Sequence, residues 1–165
     1  MSSFLVIALS ACTGPTNQYD YPEKQLPTVE VSSTTARVGE PVRVTETQVI
    51  RFLEESRRPV HTYEKLELGA CIVNAEPRVQ FGMCNYPDDA TGPVTLLDGT
   101  SYKKAFTDVT VERGDTITLT HTYVLTATEP VSFELGAVLW DYNPDRTPNT
   151  PPYSLIGESA RLTFE

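Results

Sequence analysis

The sequence predicts an all-β chain built as a single antiparallel sandwich of about seven strands, and three features carry that prediction. Apolar and polar residues alternate with period two over several stretches, as half-buried strands require. Glycine and proline turns separate those stretches, and no segment sustains the 3.6-residue period of a helix. The length of 165 residues fits one domain with a sizeable core.

The elements follow in order along 28–165. Val29 and Val31 alternate with polar neighbours in a first short strand. Arg37-Val38-Gly39-Glu40-Pro41 makes a turn, and Val42-Arg43-Val44-Thr45 opens a long strand reaching roughly Leu53. Glu54-Glu55-Ser56-Arg57-Arg58-Pro59 is a charged connection closed by its proline. Asp115 to Thr126 is the clearest strand. Ile117, Leu119, His121, Tyr123 and Leu125 fall on one face, and Thr116, Thr118, Thr120 and Thr122 on the other. A threonine face suits a solvated antiparallel sheet, because β-branched side chains prefer extended backbone. Val131, Phe133, Leu135, Ala137 and Leu139 repeat the alternation, and Ala160, Leu162 and Phe164 finish the chain.

Two stretches echo each other. Val38 to Thr45 parallels Arg113 to Thr120, each placing a glycine (Gly39, Gly114) and an acid in a turn before an alternating strand. Two tandem domains would leave the second with only about 60 residues, little for a sandwich, so one domain is the economical reading. The Gly-Glu-Pro-Val-x-Val turn and strand, with Ser-Phe-Glu-Leu-Gly-Ala-Val-Leu-Trp-Asp-Tyr and a closing strand, resembles bacterial immunoglobulin-like or fibronectin-type domains. That resemblance implies an immunoglobulin-like β-sandwich and, by itself, no function.

Upstream, Phe4-Leu5-Val6-Ile7-Ala8-Leu9 is an apolar run too short to span a bilayer. It leads into Leu9-Ser10-Ala11-Cys12, which resembles the lipobox of bacterial lipoproteins: an aliphatic residue, two small residues, then the cysteine that receives the lipid. The resemblance implies a signal peptide over 1–11, lipid on Cys12 and a location in the cell envelope, held by the membrane. One feature departs from the family pattern: no Lys or Arg precedes Phe4. From Thr13 to Pro27 the prolines Pro15, Pro22 and Pro27 break helix and ladder alike, so 12–27 reads as a flexible tether.

Charge narrows the partners. A formal net charge of −9 repels phosphate backbones and anionic headgroups, so no nucleic-acid partner is expected and polybasic membrane docking is disfavoured. The lipid must then do the anchoring, at about 0.8 kcal/mol per buried methylene. The expected partner beyond the membrane is an unidentified protein or glycan.

With Cys12 lipidated, Cys71 and Cys84 remain, and an even remainder in an exported chain points to a disulfide. Asn74-Ala75-Glu76-Pro77 supplies turn chemistry between them, so the two could face each other across a hairpin. Their spacing is not that of zinc ligands, and no cofactor or metal site is expected.

Catalytic motifs are missing: neither His61 nor His121 lies in a Gly-x-Ser-x-Gly or His-Glu-x-x-His pattern. His121 is expected as a core or rim histidine and His61 as an exposed one, so a hydrolase would need a dispersed site. The remaining candidate is the loop from Trp140 to Tyr153. Asp141, Asn143 and Asp145 have the alternate spacing that opens a calcium loop, but Arg146 and Pro152 replace the glycine and glutamate of an EF-hand. Trp140, Tyr142 and Tyr153 could instead offer an aromatic platform to a sugar ring, with Trp140 and Tyr142 pointing together, opposite Leu139. The sequence therefore favours a lipid-anchored, non-catalytic immunoglobulin-like module, with a carbohydrate-binding domain as the alternative.

Overall fold

A computed structural model of the chain describes residues 21–76, 93–97, 100–142 and 153–165. Within them the longest regular pairing joins β4 (Val42–Arg51) to β8 (Thr116–Ala127), with ten residue pairs in unbroken antiparallel register. Val42, Val44, Glu46, Gln48 and Ile50 of β4 point inward, matched by Leu119, His121, Tyr123 and Leu125 of β8. The threonines of β8 from Thr116 to Thr122 face outward and are exposed, as the alternation predicts.

Ten strands are present among the described residues, seven of them with four residues or more. One sheet holds β1 (Glu23–Lys24) and β2 (Thr28–Val31), both against β4, then β8 and β6 (Val94–Leu96). The other runs β3 (Thr35–Ala36), β10 (Tyr153–Phe164), β9 (Val131–Tyr142), β5 (Val60–Glu76), β7 (Lys103–Glu112). This order is that of an immunoglobulin-like sandwich, whose first strand is shared between the sheets. Here β2 pairs with β4, the chain turns at 32–34, and β3 joins β10 in the other sheet. The β3–β10 pairing is parallel, so the sandwich is not wholly antiparallel. A second departure is that β6, in the first sheet, precedes β7, in the second, so the chain crosses between the sheets three times from β5 to β8.

The tether expected over 12–27 ends early. Pro22 and Pro27 are buried, Glu23 and Lys24 pair with Arg51 and Ile50, and the amide of Glu158 bonds to the Pro27 carbonyl at 3.0 Å. Prolines can sit there because this is a sheet edge, where a missing N–H costs no ladder bond. Asn74, Ala75 and Glu76, expected in a turn, belong to a strand instead. β5 runs on to Glu76, which pairs with Ser132 after a register shift that absorbs the extra residue. Both echoing glycines adopt left-handed backbone, Gly39 at φ 86° and Gly114 at φ 89°, where a side chain would be strained.

The core divides in two. Val42, Val44, Tyr123, Leu125, Phe133, Leu135 and Phe164 fill one end, and Ile50, Phe52, Leu66, Val111, Leu119 and Leu139 the other. On β4 and β8, Glu46, Gln48 and His121 stand between these two clusters.

Candidate functional site

That polar layer is the least expected feature of the interior. Glu46 is 0 % exposed; its Oε1 accepts a hydrogen bond from the Tyr123 hydroxyl at 2.9 Å, and its Oε2 has no partner among the described residues. Burial pushes the Glu46 carboxyl up to about 8 against the opposing pull of the Tyr123 bond, so it is mostly protonated at neutral pH. Gln48 donates through Nε2 to the carbonyls of Gln25 at 2.8 Å and Val49 at 2.7 Å. Tyr102 packs edge-on to Tyr123 with ring centroids 5.7 Å apart. His121 is 7 % exposed and meets the Ser101 carbonyl through Nε2 at 2.7 Å. A carbonyl can only accept, so Nε2 carries the proton and cannot act as a base there. Burial lowers the His121 pKa, the Ser101 carbonyl opposes this, and Lys104 adds to it. His121 is thus buried and partnered, within the expectation of a core or rim histidine on that face.

A second cluster forms at the end of the sandwich where the described chain begins. Alternation along β9 puts Asp141 in phase with Leu139, on the inner side at the strand's end. Lys24 of β1 reaches across to it in an ion pair, and its Nζ lies 5.1 Å from the centre of the Tyr63 ring. The His61 ring stands edge-on to Tyr63 at 4.5 Å and to Tyr21 at 5.6 Å, while Arg58 covers Tyr21 at 4.8 Å. His61 is half-buried rather than exposed. Burial lowers its pKa, helped by the charges of Lys24 and Arg58 and opposed by Asp141.

The aromatic pair of the Trp140–Tyr153 stretch lies elsewhere, on the outer face of the second sheet. Trp140 and Tyr142 share that face, opposite Leu139, but Trp140 is only 6 % exposed and packs with Cys71 and Val138. Tyr142 donates to Glu67 Oε2 at 2.6 Å, and Lys65 bridges to Glu67 Oε1 at 2.7 Å. Burial alone would raise the Glu67 pKa. The bonds from Lys65 and Tyr142 and the charges of Lys103 and Lys65 outweigh it and hold the carboxyl below its usual value. Asp141 thus points away from Trp140 and Tyr142, and the three do not converge on one ligand. Asn143, Asp145 and the Tyr153 side chain lie outside the described residues, as do Cys12 and Cys84. Cys71 is 1 % exposed on β5, opposite Gly136. Among the described residues no group of three His, Cys, Asp or Glu is placed to hold a metal ion.

Sequence reasoning missed Glu46 and Gln48. The signal was available: both are in phase with Val42, Val44 and Ile50, so the alternation that buries the valines buries them too.

No family model and no curated protein sequence matches the chain. Among solved structures it is similar to the sporulation control protein Spo0M from Bacillus subtilis, at 13% identity and a TM-score of 0.37, over 86% of this chain and 50% of that one. It is also similar to the class 5 fimbriae chaperone CfaA, at 10% identity and a TM-score of 0.34, over 82% of this chain and 55% of that one. A third is the 35 kDa C-terminal fragment of the major pilin GBS80 of Streptococcus agalactiae, at 13% identity and a TM-score of 0.36, over 87% and 56%. The chain spans about half the length of each of these structures. Strand order and packing define the class: an all-β, immunoglobulin-like sandwich of two sheets.

Proposed function

We propose that this chain is a lipid-anchored protein of the bacterial cell envelope, with the lipid on Cys12 and the sandwich serving as a non-catalytic module that binds or supports a partner. The observation that carries the reading is the run from Leu9 to Cys12, a lipobox followed closely by a folded body. Only residues 13–20 separate Cys12 from Tyr21, whose ring packs on His61. Fully extended, that linker reaches at most about 30 Å, so the domain is held near the headgroups.

Two positive commitments favour binding over catalysis. His121 is engaged by a backbone carbonyl, and His61 is held between two tyrosine rings. In this reading Cys71 and Cys84 form a disulfide, suited to an oxidising compartment. The anchor is tested with Cys12→Ser, expressed in bacterial cells beside the wild type. The wild type should partition into detergent and take up labelled fatty acid, and the variant should do neither. Equal labelling of both would sink the reading.

A further inference from the structure

We infer that the open edge of β8 from Thr116 to Thr122 is a strand-addition site for an extended, neutral or basic segment of a second polypeptide, apolar at alternate positions. The inference deepens the binding-module reading above and does not depend on the lipid.

The direction of each β8 backbone group follows from the bonds at its two ends. The amide of Phe52 bonds to the Asp115 carbonyl at 2.9 Å, so odd-numbered residues of β8 address β4. The amide of Leu97 bonds to the Val124 carbonyl at 2.9 Å, so even-numbered residues address the other side. On that side β6 and the Leu97 that follows it cover β8 from Val124 to Ala127, and the Ser101 carbonyl reaches the inward ring of His121. The N–H and C=O groups of Thr116, Thr118, Thr120 and Thr122 therefore point at an edge that no described strand occupies.

The other edges are blunted. β7 carries Lys103 and Lys104 and is kinked at Asp108, a non-glycine residue at φ 52°. β10 has Pro27 alongside it, its carbonyl bonded to Glu158, and ends against β3. β1 and β2 are short and bracketed by Pro22 and Pro27. The β8 edge has no charge, proline, glycine or bulge over those seven residues, and its register with β4 is unbroken. Natural sheets seldom leave such an edge unprotected.

The floor beside it selects side chains. β7 lies across the same open side, and Phe106 and Val109 of β7 and Ile117 of β8 are only partly buried there. A strand added to β8 would set alternate side chains over these three, which gives specificity while the backbone gives affinity.

A second copy fits less well. Seven residues span about 23 Å, and sheets stack about 10 Å apart, so the opening is roughly 230 Å² in outline. A stable dimer covers about 800 Å² per partner. Each copy also carries −9, which favours a neutral or basic strand over a like-charged one, although Lys104 covers the Phe106 ring at 5.0 Å on this side.

The test is amide exchange by NMR on the whole chain, with a synthetic peptide of alternating threonine and valine flanked by lysines. In the free chain the amides of Thr116, Thr118, Thr120 and Thr122 should exchange fast, and those of Ile117, Leu119 and His121 slowly. The peptide should slow the even set by about tenfold or more. A peptide N-methylated at alternate residues should not, and Thr118→Pro, which removes only an outward N–H, should abolish the effect. Protection of the even set in the free monomer, protection appearing on β7 or β10 instead, or an equal response to the methylated peptide would overturn the site. A dimer with those amides protected and no peptide present would overturn the choice of partner. Loss of membrane partitioning in Cys12→Ser is read separately, so the anchor and this edge fail independently.

Discussion

The Tyr123 hydroxyl donates to Glu46 Oε1 at 2.9 Å, one step along the register from the Glu46–His121 pair, with both side chains sealed inside the sandwich. The arrangement places a carboxyl between two apolar clusters and gives it one neutral donor rather than a cation. A carboxyl so placed is easier to keep protonated than ionised.

Glu46 should therefore make stability fall with rising pH. Its folded pKa of about 8 lies above its ordinary 4.5, so the folded state holds a proton that the unfolded state has lost between those values. The contribution is fully present below pH 4.5, declines by about 1.4 kcal/mol per pH unit, and is gone above the folded pKa. Glu46→Gln keeps an acceptor for Tyr123 and removes the titration. Urea melts from pH 5 to 8.5 should show the variant gaining on the wild type as pH rises; parallel slopes would contradict the assignment.

The two faces of β8 should respond unequally. Leu119 is 8 % exposed and packs with Phe52 and Leu139, so Leu119→Ala should cost about 2–4 kcal/mol through lost burial and a cavity. Thr118 is exposed, and Thr118→Ala should stay within about 0.5 kcal/mol. His121→Phe removes the bond to Ser101 and should cost about 1 kcal/mol. Equal losses at Leu119 and Thr118 in denaturant melts would reject the assigned faces.

Gly157 should be intolerant for a reason outside its own strand. A Cβ built there would lie 1.7 Å from the Pro27 carbonyl oxygen, which accepts the Glu158 amide. Gly157→Ala should cost about 1–3 kcal/mol as β10 and the segment at Pro27 are pushed apart. At Gly136 the nearest contact is 3.8 Å, and Gly136→Ala should change stability by less than about 0.5 kcal/mol. Thermal melts that rank the two alike would refute this packing.

The proposed Cys71–Cys84 disulfide should close a short loop and stabilise the chain by roughly 3 kcal/mol. Reductant, or Cys84→Ser, should lower the urea midpoint while far-ultraviolet dichroism keeps its β signature. Intact mass after alkylation without reductant decides the pairing: alkylation of Cys71 in the unfolded, unreduced chain would rule it out.

Local pattern was enough to read β8 and β9, because period two assigns each side chain to a face whatever lies opposite. The turns at Gly39 and Gly114 were legible for a similar reason: left-handed backbone selects glycine locally. Other features depended on contacts far apart in the chain. Pro22 and Pro27 look like tether residues until β4 and β10 supply the partners that bury them. The parallel joining of β3 to β10 and the three crossings from β5 to β8 leave no periodic trace, since strand order is set by which faces must be covered. Glu46 stood in plain phase with the valines of β4, yet only the tertiary structure supplied Tyr123 as its donor and closed water out. Local pattern alone gave β2, β4, β8, β9 and the end of β10, the inward faces of β8 and β9, and the turn glycines. Packing decided which strands became neighbours and how a carboxyl came to be held in an apolar core, because each depends on groups brought together only by the fold.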